Sequence, residues 1–365
     1  MINTNKILKC IGSLACTTMQ VMALGLGSTG FALGQDSLYI GDGSDGSVKR
    51  FNAVTGAYLG AYVPPNTNLK LRGPMGLLFD NENLLVSNQN VDTSVTGEIF
   101  QYSLVNGQLQ QTVIVKRNTP TSPAVPRGIV LWKDAFFVAE MISEPQKNAT
   151  TPGRLLKYTR GGQLIGAFVP PAGTFTSGAE FHPRGVVIGP DGLLYVSNYD
   201  HLDTGLGGHV LRFNPNTGQF IDVFINSVGG GACSCTNELN RPEGLVFGPD
   251  GKLYITSFRA DSSDTDKILI FQGPNGRNPG AYVDRIDLDV VGQPRAYAQA
   301  LLFGPNGYLF VPITANGPDT GSVRRYDLTT KQYSNFVAPY AIGGPLQSGW
   351  YLTFGKTDPH TLTYP

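Results

Sequence analysis

The chain has 365 residues, equal numbers of acidic and basic side chains, and only 15% charged residues in all. That balance excludes the basic face of a nucleic-acid binder and offers no attraction to an anionic membrane. Its 46 glycines and 25 prolines are spread along the chain, which points to many tight turns between short strands rather than to disorder.

In chain order, the first feature is an export signal over residues 1–34. Lys6 and Lys9 form a basic start, an apolar stretch runs from Ile11 to Leu26, and small residues lie around Ala32 and Gly34, before Gln35 and Asp36. Basic, apolar, then small is the secretory order. Thr17, Thr18 and Gln20 interrupt the apolar run, so it suits a cleaved signal better than a retained span. The mature protein is expected to begin near Gln35, as one domain over 35–365, secreted or periplasmic and not held on the membrane. Cys10 and Cys16 leave with the signal. The remaining pair, Cys233 and Cys235, is too little to staple a fold of this size.

A repeat then dominates. Gly244 to Gly251 reads Gly-Leu-Val-Phe-Gly-Pro-Asp-Gly, with kin at Gly185–Gly192 and Ala300–Gly307 and weaker copies at Gly76–Asn83, Gly128–Ala135 and Tyr351–Asp358. The six starts are 52, 57, 59, 56 and 51 residues apart. Each copy continues into a second apolar strand such as Leu85–Asn88, Phe137–Glu140 or Tyr195–Asn198. A third follows, such as Leu155–Tyr158 or Val210–Phe213, and a fourth such as Leu164–Phe168. Apolar runs at strand spacing between Gly-Pro-Asp-Gly and Asn-Thr-Gly turns make four antiparallel strands per copy. Six such sheets predict an all-β, six-bladed β-propeller, which hides sheet edges by packing blade on blade. The mature start supplies a second strand, Leu38–Ile40, with no first strand before it. Tyr351–Phe354 is the missing strand, so both termini are expected to share one blade and close the ring.

The segment from Arg241 to Ile255, Arg-Pro-Glu-Gly-Leu-Val-Phe-Gly-Pro-Asp-Gly-Lys-Leu-Tyr-Ile, resembles an NHL repeat. The resemblance covers essentially the whole mature chain and implies the six-bladed propeller superfamily. Its enzymes include gluconolactonase-type lactonases, strictosidine synthase-like condensing enzymes and a peptide-amidating lyase. The same fold also serves as a binding platform. Propellers of this type also occur in the cyanobacterial pathway to the pigment scytonemin, a similarity of fold and export.

Links between first and second and between third and fourth strands are short, whereas second-to-third and inter-blade links are long. Alternating strand direction collects the long links on one face, where function is expected. There, the residue just before each first strand should ring the mouth of the axial channel: Met75, Arg127, Arg184, Glu243, Gln299 and Trp350. That set either binds a ligand or plugs the axis through an arginine–Glu243 pair. In the first case Arg127 and Arg184 hold an anionic or phenolic group, Gln299 adds a polar contact, and Trp350 and Met75 give an apolar wall. Glu243 then moves a proton as the catalytic group. Glu243 stands where gluconolactonase-like relatives place a metal-binding side chain, but the rest of that metal pattern is not recognisable in this sequence.

Two further constellations stand out. His182, His201 and His209 fall in one blade, at the long-loop ends of three strands, beside Asp200. As a divalent-metal site they would take zinc, copper or iron, and otherwise they are solvated loop histidines. Cys233 and Cys235 sit in a glycine-rich loop, as a disulfide that clips the loop or as a reducible one. The acidic run Asp261–Asp266 lacks the glycine and closing glutamate of an EF-hand. No nucleophile elbow, phosphate loop or dinucleotide fingerprint is present. The expected function is that of an exported monomer, an enzyme of secondary-metabolite type (condensation, dimerisation or lyase chemistry) on a small aromatic or anionic molecule. The alternative is a non-catalytic platform for a protein or glycan.

Overall fold

The computed structural model describes residues 36–365, apart from 66, 68, 92–93, 145–150, 176–178, 201–206, 227–238 and 316. The expected signal, His201, Cys233 and Cys235 therefore lie outside the described residues. The chain forms six four-stranded antiparallel sheets around an axis, a six-bladed β-propeller. Blade one begins with β1 (Ser37–Asp42), β2 (Ser47–Asn52) and β3 (Tyr58–Val63). Blade two is β4 (Pro74–Asp80), β5 (Asn83–Asn88), β6 (Glu98–Val105) and β7 (Gln108–Val115). Blade three is β8 (Pro126–Trp132), β9 (Ala135–Glu140), β10 (Arg154–Thr159) and β11 (Leu164–Phe168). Blade four is β12 (His182–Ile188), β13 (Leu194–Tyr199), β14 (Gly208–Phe213) and β15 (Phe220–Asn226). Blade five is β16 (Arg241–Phe247), β17 (Leu253–Phe258), β18 (Lys267–Phe271) and β19 (Tyr282–Asp287). Blade six is β20 (Leu302–Phe303), β21 (Leu309–Pro312), β22 (Val323–Tyr326) and β23 (Tyr333–Val337). The last strand, β24 (Gly349–Phe354), returns to blade one, with Leu38 opposite Phe354 and Ile40 opposite Leu352. Among the described residues there is no α-helix, and so none long and apolar enough to cross a membrane.

Burial explains the strand sequences. β12 is buried at every position and β4 at all but the last, so past the axial residue each reads as an apolar run, Val186–Ile188 and Leu77–Phe79. The fourth strands face solvent on one side and alternate, as in Gln108 to Val113 of β7. The Gly-Pro-Asp-Gly turn is built locally. Asp191 Oδ1 accepts the Leu193 N–H at 3.2 Å and Asp250 Oδ1 the Lys252 N–H at 3.1 Å. Tyr195 and Tyr254 donate back to the same carboxylates at 2.8 and 3.0 Å. Gly192 and Gly251 follow at φ 75° and 74°, where a side chain would be strained.

One polar device recurs at the ends of the second strands. Asp42, Asn88, Glu140 and Asn198 each accept backbone N–H groups of the segment leading into their own blade's first strand. Asp42 closes the ring this way, binding the N–H groups of Gln347 at 3.0 Å and Ser348 at 3.1 Å while Lys49 Nζ sits 2.6 Å away. Past β24, the C-terminal segment crosses the short-turn end of the channel. Pro359 and His360 accept N–H groups from Leu131 and Ile188, and Leu362 packs against the cores of several blades. One end of the channel is thus closed by the chain itself.

Candidate functional site

The axial mouth is made by a local irregularity repeated from blade to blade. In blades two to five the first strand carries Pro-x-Gly: Pro74-Met75-Gly76, Pro126-Arg127-Gly128, Pro183-Arg184-Gly185 and Pro242-Glu243-Gly244. Pairing with the second strand skips across these residues, from Pro74 to Leu77, Pro126 to Ile129, Pro183 to Val186 and Pro242 to Leu245. Four ring residues therefore lie within their strands at a bulge, not just before them as the sequence suggests. The reason is that the proline, first or second in its strand, has no N–H to donate, and the bulge re-aims the residue after it. Trp350 likewise lies inside β24, and Gln299 alone precedes its strand. The glycines make close approach possible. A Cβ on Gly76, Gly128 or Gly185 would come within 2.8 Å of the carbonyl oxygen of Arg127, Arg184 or Glu243 on the next blade.

Four of the six ring side chains are paired with one another. Arg184 Nη1 lies 3.1 Å from Glu243 Oε1, with both side chains almost wholly buried. The Arg184 guanidinium also stacks on Tyr199, 4.1 Å from the ring centre. Arg127 Nη1 crosses the mouth to donate to Gln299 Oε1 at 3.0 Å and rests 3.6 Å from the Met75 sulfur, while Nη2 rests 3.6 Å from the Met141 sulfur. Burial, and then the nearby Arg184 charge, depress the Arg127 pKa. The Trp350 indole does not join this group but lies over the backbone of Gly43 and beside Gly73.

Sequence reasoning missed Tyr351. It occupies the position held by the axial glycine in four other blades and by Ala300 in blade six. Its ring enters the channel above Leu362, and burial followed by the Glu243 charge raises its phenol pKa. Tyr199, buried beside Arg184, is raised for the same two reasons. The departure from glycine at 351 was readable; its consequence becomes clear only once the bulge is known. Among the described residues, Arg127 Nε, Arg184 Nε, Glu243 Oε2 and the Tyr351 hydroxyl are buried without a hydrogen-bond partner. They come from blades three, four, five and one.

The histidine blade is arranged differently. His182 opens β12 with Nδ1 3.1 Å from the Met141 carbonyl oxygen and Nε2 3.0 Å from Glu180 Oε2. His209 on β14 pairs through Nδ1 with Asp200 Oδ1 at 2.5 Å and lies against Phe175. The structure thus gives both ring nitrogens of His182 protein partners. Among the described residues no three His, Cys, Asp or Glu side chains form a metal-sized group.

No protein-family model and no curated protein matches the chain. Among solved structures it is similar to a candidate 6-phosphogluconolactonase from Bacteroides uniformis. They share 16% identity over 88% of this chain and 99% of that one, with a TM-score of 0.50. It is also similar to the calcium-binding protein regucalcin from Agrobacterium tumefaciens, at 13% identity over 72% and 73% of the two chains and a TM-score of 0.42. A third is the PQQ-bound aldose sugar dehydrogenase of Streptomyces coelicolor, at 16% identity over 72% and 79% and a TM-score of 0.43. The likeness is one of propeller fold.

Proposed function

We propose that this is an exported enzyme that takes a small aromatic or anionic molecule at the axial mouth of the long-loop face. The observation that carries this reading is the convergence there of four buried polar atoms without partners: Arg127 Nε, Arg184 Nε, Glu243 Oε2 and the Tyr351 hydroxyl. A buried polar group left unpaired costs about 1–3 kcal/mol, and four at one place form a ready set of donors and an acceptor. The two guanidinium N–H groups and the phenol suit acceptor oxygens of a carboxylate, phenolate or carbonyl. Glu243 Oε2 suits a hydroxyl or N–H and would receive its proton, while Arg184 on Oε1 holds the carboxylate in place. Export is supported by the order of residues in 1–34, and mass spectrometry of the native mature protein, expected to begin near Gln35, checks it.

A second reading, a non-catalytic platform for a protein or glycan, is favoured by the pairing of Arg184 with Glu243 and of Arg127 with Gln299, which closes the ring upon itself. A thermal-shift screen of phenolic and carboxylate-bearing metabolites separates the two. The enzyme reading expects one compound class to raise the melting temperature and to be turned over, with turnover lost in Glu243→Gln and binding kept. A screen without a shift, or shifts that persist unchanged in Arg127→Gln, rejects the axial site.

A further inference from the structure

We propose a second ligand site, distinct from the axis: a cleft on the long-loop side of blade two that binds a small molecule carrying two or more oxyanion groups. The cleft is about 530 Å³ in volume and is lined by Leu69, Lys70, Arg72, Glu98, Phe100 and Arg117, with Asn90, Val95 and Asn118 at its edges. Among the described residues three cations face one carboxylate here, in a chain whose overall charge is zero.

Among the described residues these charges are not cancelled. Glu98 is buried and already engaged: its Oε2 accepts from Asn88 Nδ2 and Asn90 Nδ2, each at 3.3 Å, and its Oε1 lies 3.8 Å from Arg117 Nε. The Lys70 and Arg72 side chains are exposed and have no carboxylate partner among the described residues. Like charges gathered around one cleft repel each other, and a multiply charged anion relieves that repulsion while gaining charge-assisted hydrogen bonds.

The walls are fixed in advance. Leu69 donates its N–H to Gln111 Oε1 at 3.0 Å, and Arg72 donates its N–H to Asn88 Oδ1 at 2.7 Å. The Arg72 carbonyl accepts the Val91 N–H at 2.8 Å, so the strap carrying Lys70 and Arg72 is pinned to blade two at both ends. On the opposite side Thr96 and Asn118 exchange hydrogen bonds, at 2.6 and 3.3 Å, locking the β5–β6 link to the β7–β8 link that carries Arg117. Only the long cationic side chains must order on binding, which limits the entropic cost. Arginine's planar fork matches either a phosphate or a carboxylate, and lysine adds a point charge. The cleft therefore selects paired oxyanions rather than a neutral sugar.

Titration calorimetry of the mature protein with pyrophosphate and with citrate, at low and at physiological salt, tests the site. Saturable binding of one equivalent of at least one probe is expected, weakening as salt rises because the cations are exposed. The triple variant K70Q/R72Q/R117Q should bind at least about tenfold more weakly, since hydrogen bonds to charged groups are removed. Its melting temperature should stay near the parental value. Pyrophosphate binding alone points to phosphorylated ligands, and citrate binding alone to polycarboxylates. If the triple variant fails to fold, K70Q and R72Q singly ask the same question, each with a several-fold loss expected. Glu243→Gln should leave probe binding unchanged, so this site and the axial one fail separately. No saturable binding of either probe, or equal binding by parent and variants, overturns the proposal.

Discussion

Glu140 and Glu243 are both buried carboxylates that face an arginine, and they differ in how completely they are used. Glu140 Oε1 accepts the Ala124 N–H at 2.7 Å and Arg154 Nη2 at 2.9 Å, and its Oε2 accepts Arg154 Nε at 2.5 Å. Glu243 Oε1 meets Arg184 Nη1 at 3.1 Å, and Oε2 meets nothing among the described residues. Asp42 resembles Glu140: five donors from Ser44, Lys49, Gln347 and Ser348 converge on its two oxygens. A saturated buried carboxylate has no capacity left for a ligand, so its role is to hold blades and loops. An unsaturated one either carries an energetic cost or waits for a partner. That contrast assigns Asp42 and Glu140 to architecture and leaves Glu243 as the carboxylate on which the proposed site rests.

The largest effect should come from breaking the clasp. Deleting Gly349–Pro365 removes β24, opens blade one and exposes blade interfaces together with the short-turn end of the channel. No cooperative melting is expected from the purified remainder, and a transition at the parental temperature would show that the ring does not depend on β24. Next in size is Glu140→Gln, which should cost about 3–5 kcal/mol in denaturant unfolding because Arg154 loses its carboxylate and one acceptor becomes a donor. Glu243→Gln should cost clearly less, about 1–2 kcal/mol, because the amide oxygen can still accept from Arg184 and the second position was unpartnered. Equal losses for the two would erase the contrast and make the axial pair a plug.

The architecture was legible because its determinants are local. The turn Asp191-Gly192, the carboxylate bonds it makes to residue 193 and the Tyr195 hydroxyl all lie within a few positions, and they repeat at 250–254. The clasp was legible too, as a strand lacking at one end and present at the other. Positions on the ring could be read from the repeat, but partners could not. Arg127 reaches Gln299 across the mouth, 172 residues away, and whether Arg184 turns toward Glu243 depends on a bulge that no propensity encodes. Pro-x-Gly stood at the ring position of four copies, but the same tripeptide also occurs in turns such as Pro190–Gly192 and Pro249–Gly251, so alone it does not announce the bulge. Trp350 followed the repeat but not the site, since its neighbour at 351 is a tyrosine rather than glycine and the indole lies over Gly43 instead.

The smallest expected effect concerns pH and tests whether blade four is held by a neutral imidazole. Burial lowers the His182 pKa below its ordinary value, although the Met141 carbonyl and Glu180 act to raise it, and the Arg184 charge lowers it further. The folded protein therefore takes up this proton less readily than the unfolded chain does. Stability from this group is fully present above the unfolded pKa of about 6.5 and is lost as pH falls through the folded value. Each unit of pH in that window should remove up to about 1.4 kcal/mol. The Asp42 carboxyl acts at lower pH: burial alone would raise it, but Lys49, Ser44 and the Gln347 N–H together hold it below its ordinary value. Its contribution is therefore present above about pH 4 and lost below, which keeps the two windows apart. Denaturant midpoints of the parent should fall between pH 7 and 5, and those of His182→Gln should change little over the same range. A parental midpoint that stays level, or a variant that keeps the parental slope, would show that His182 is not the titrating group.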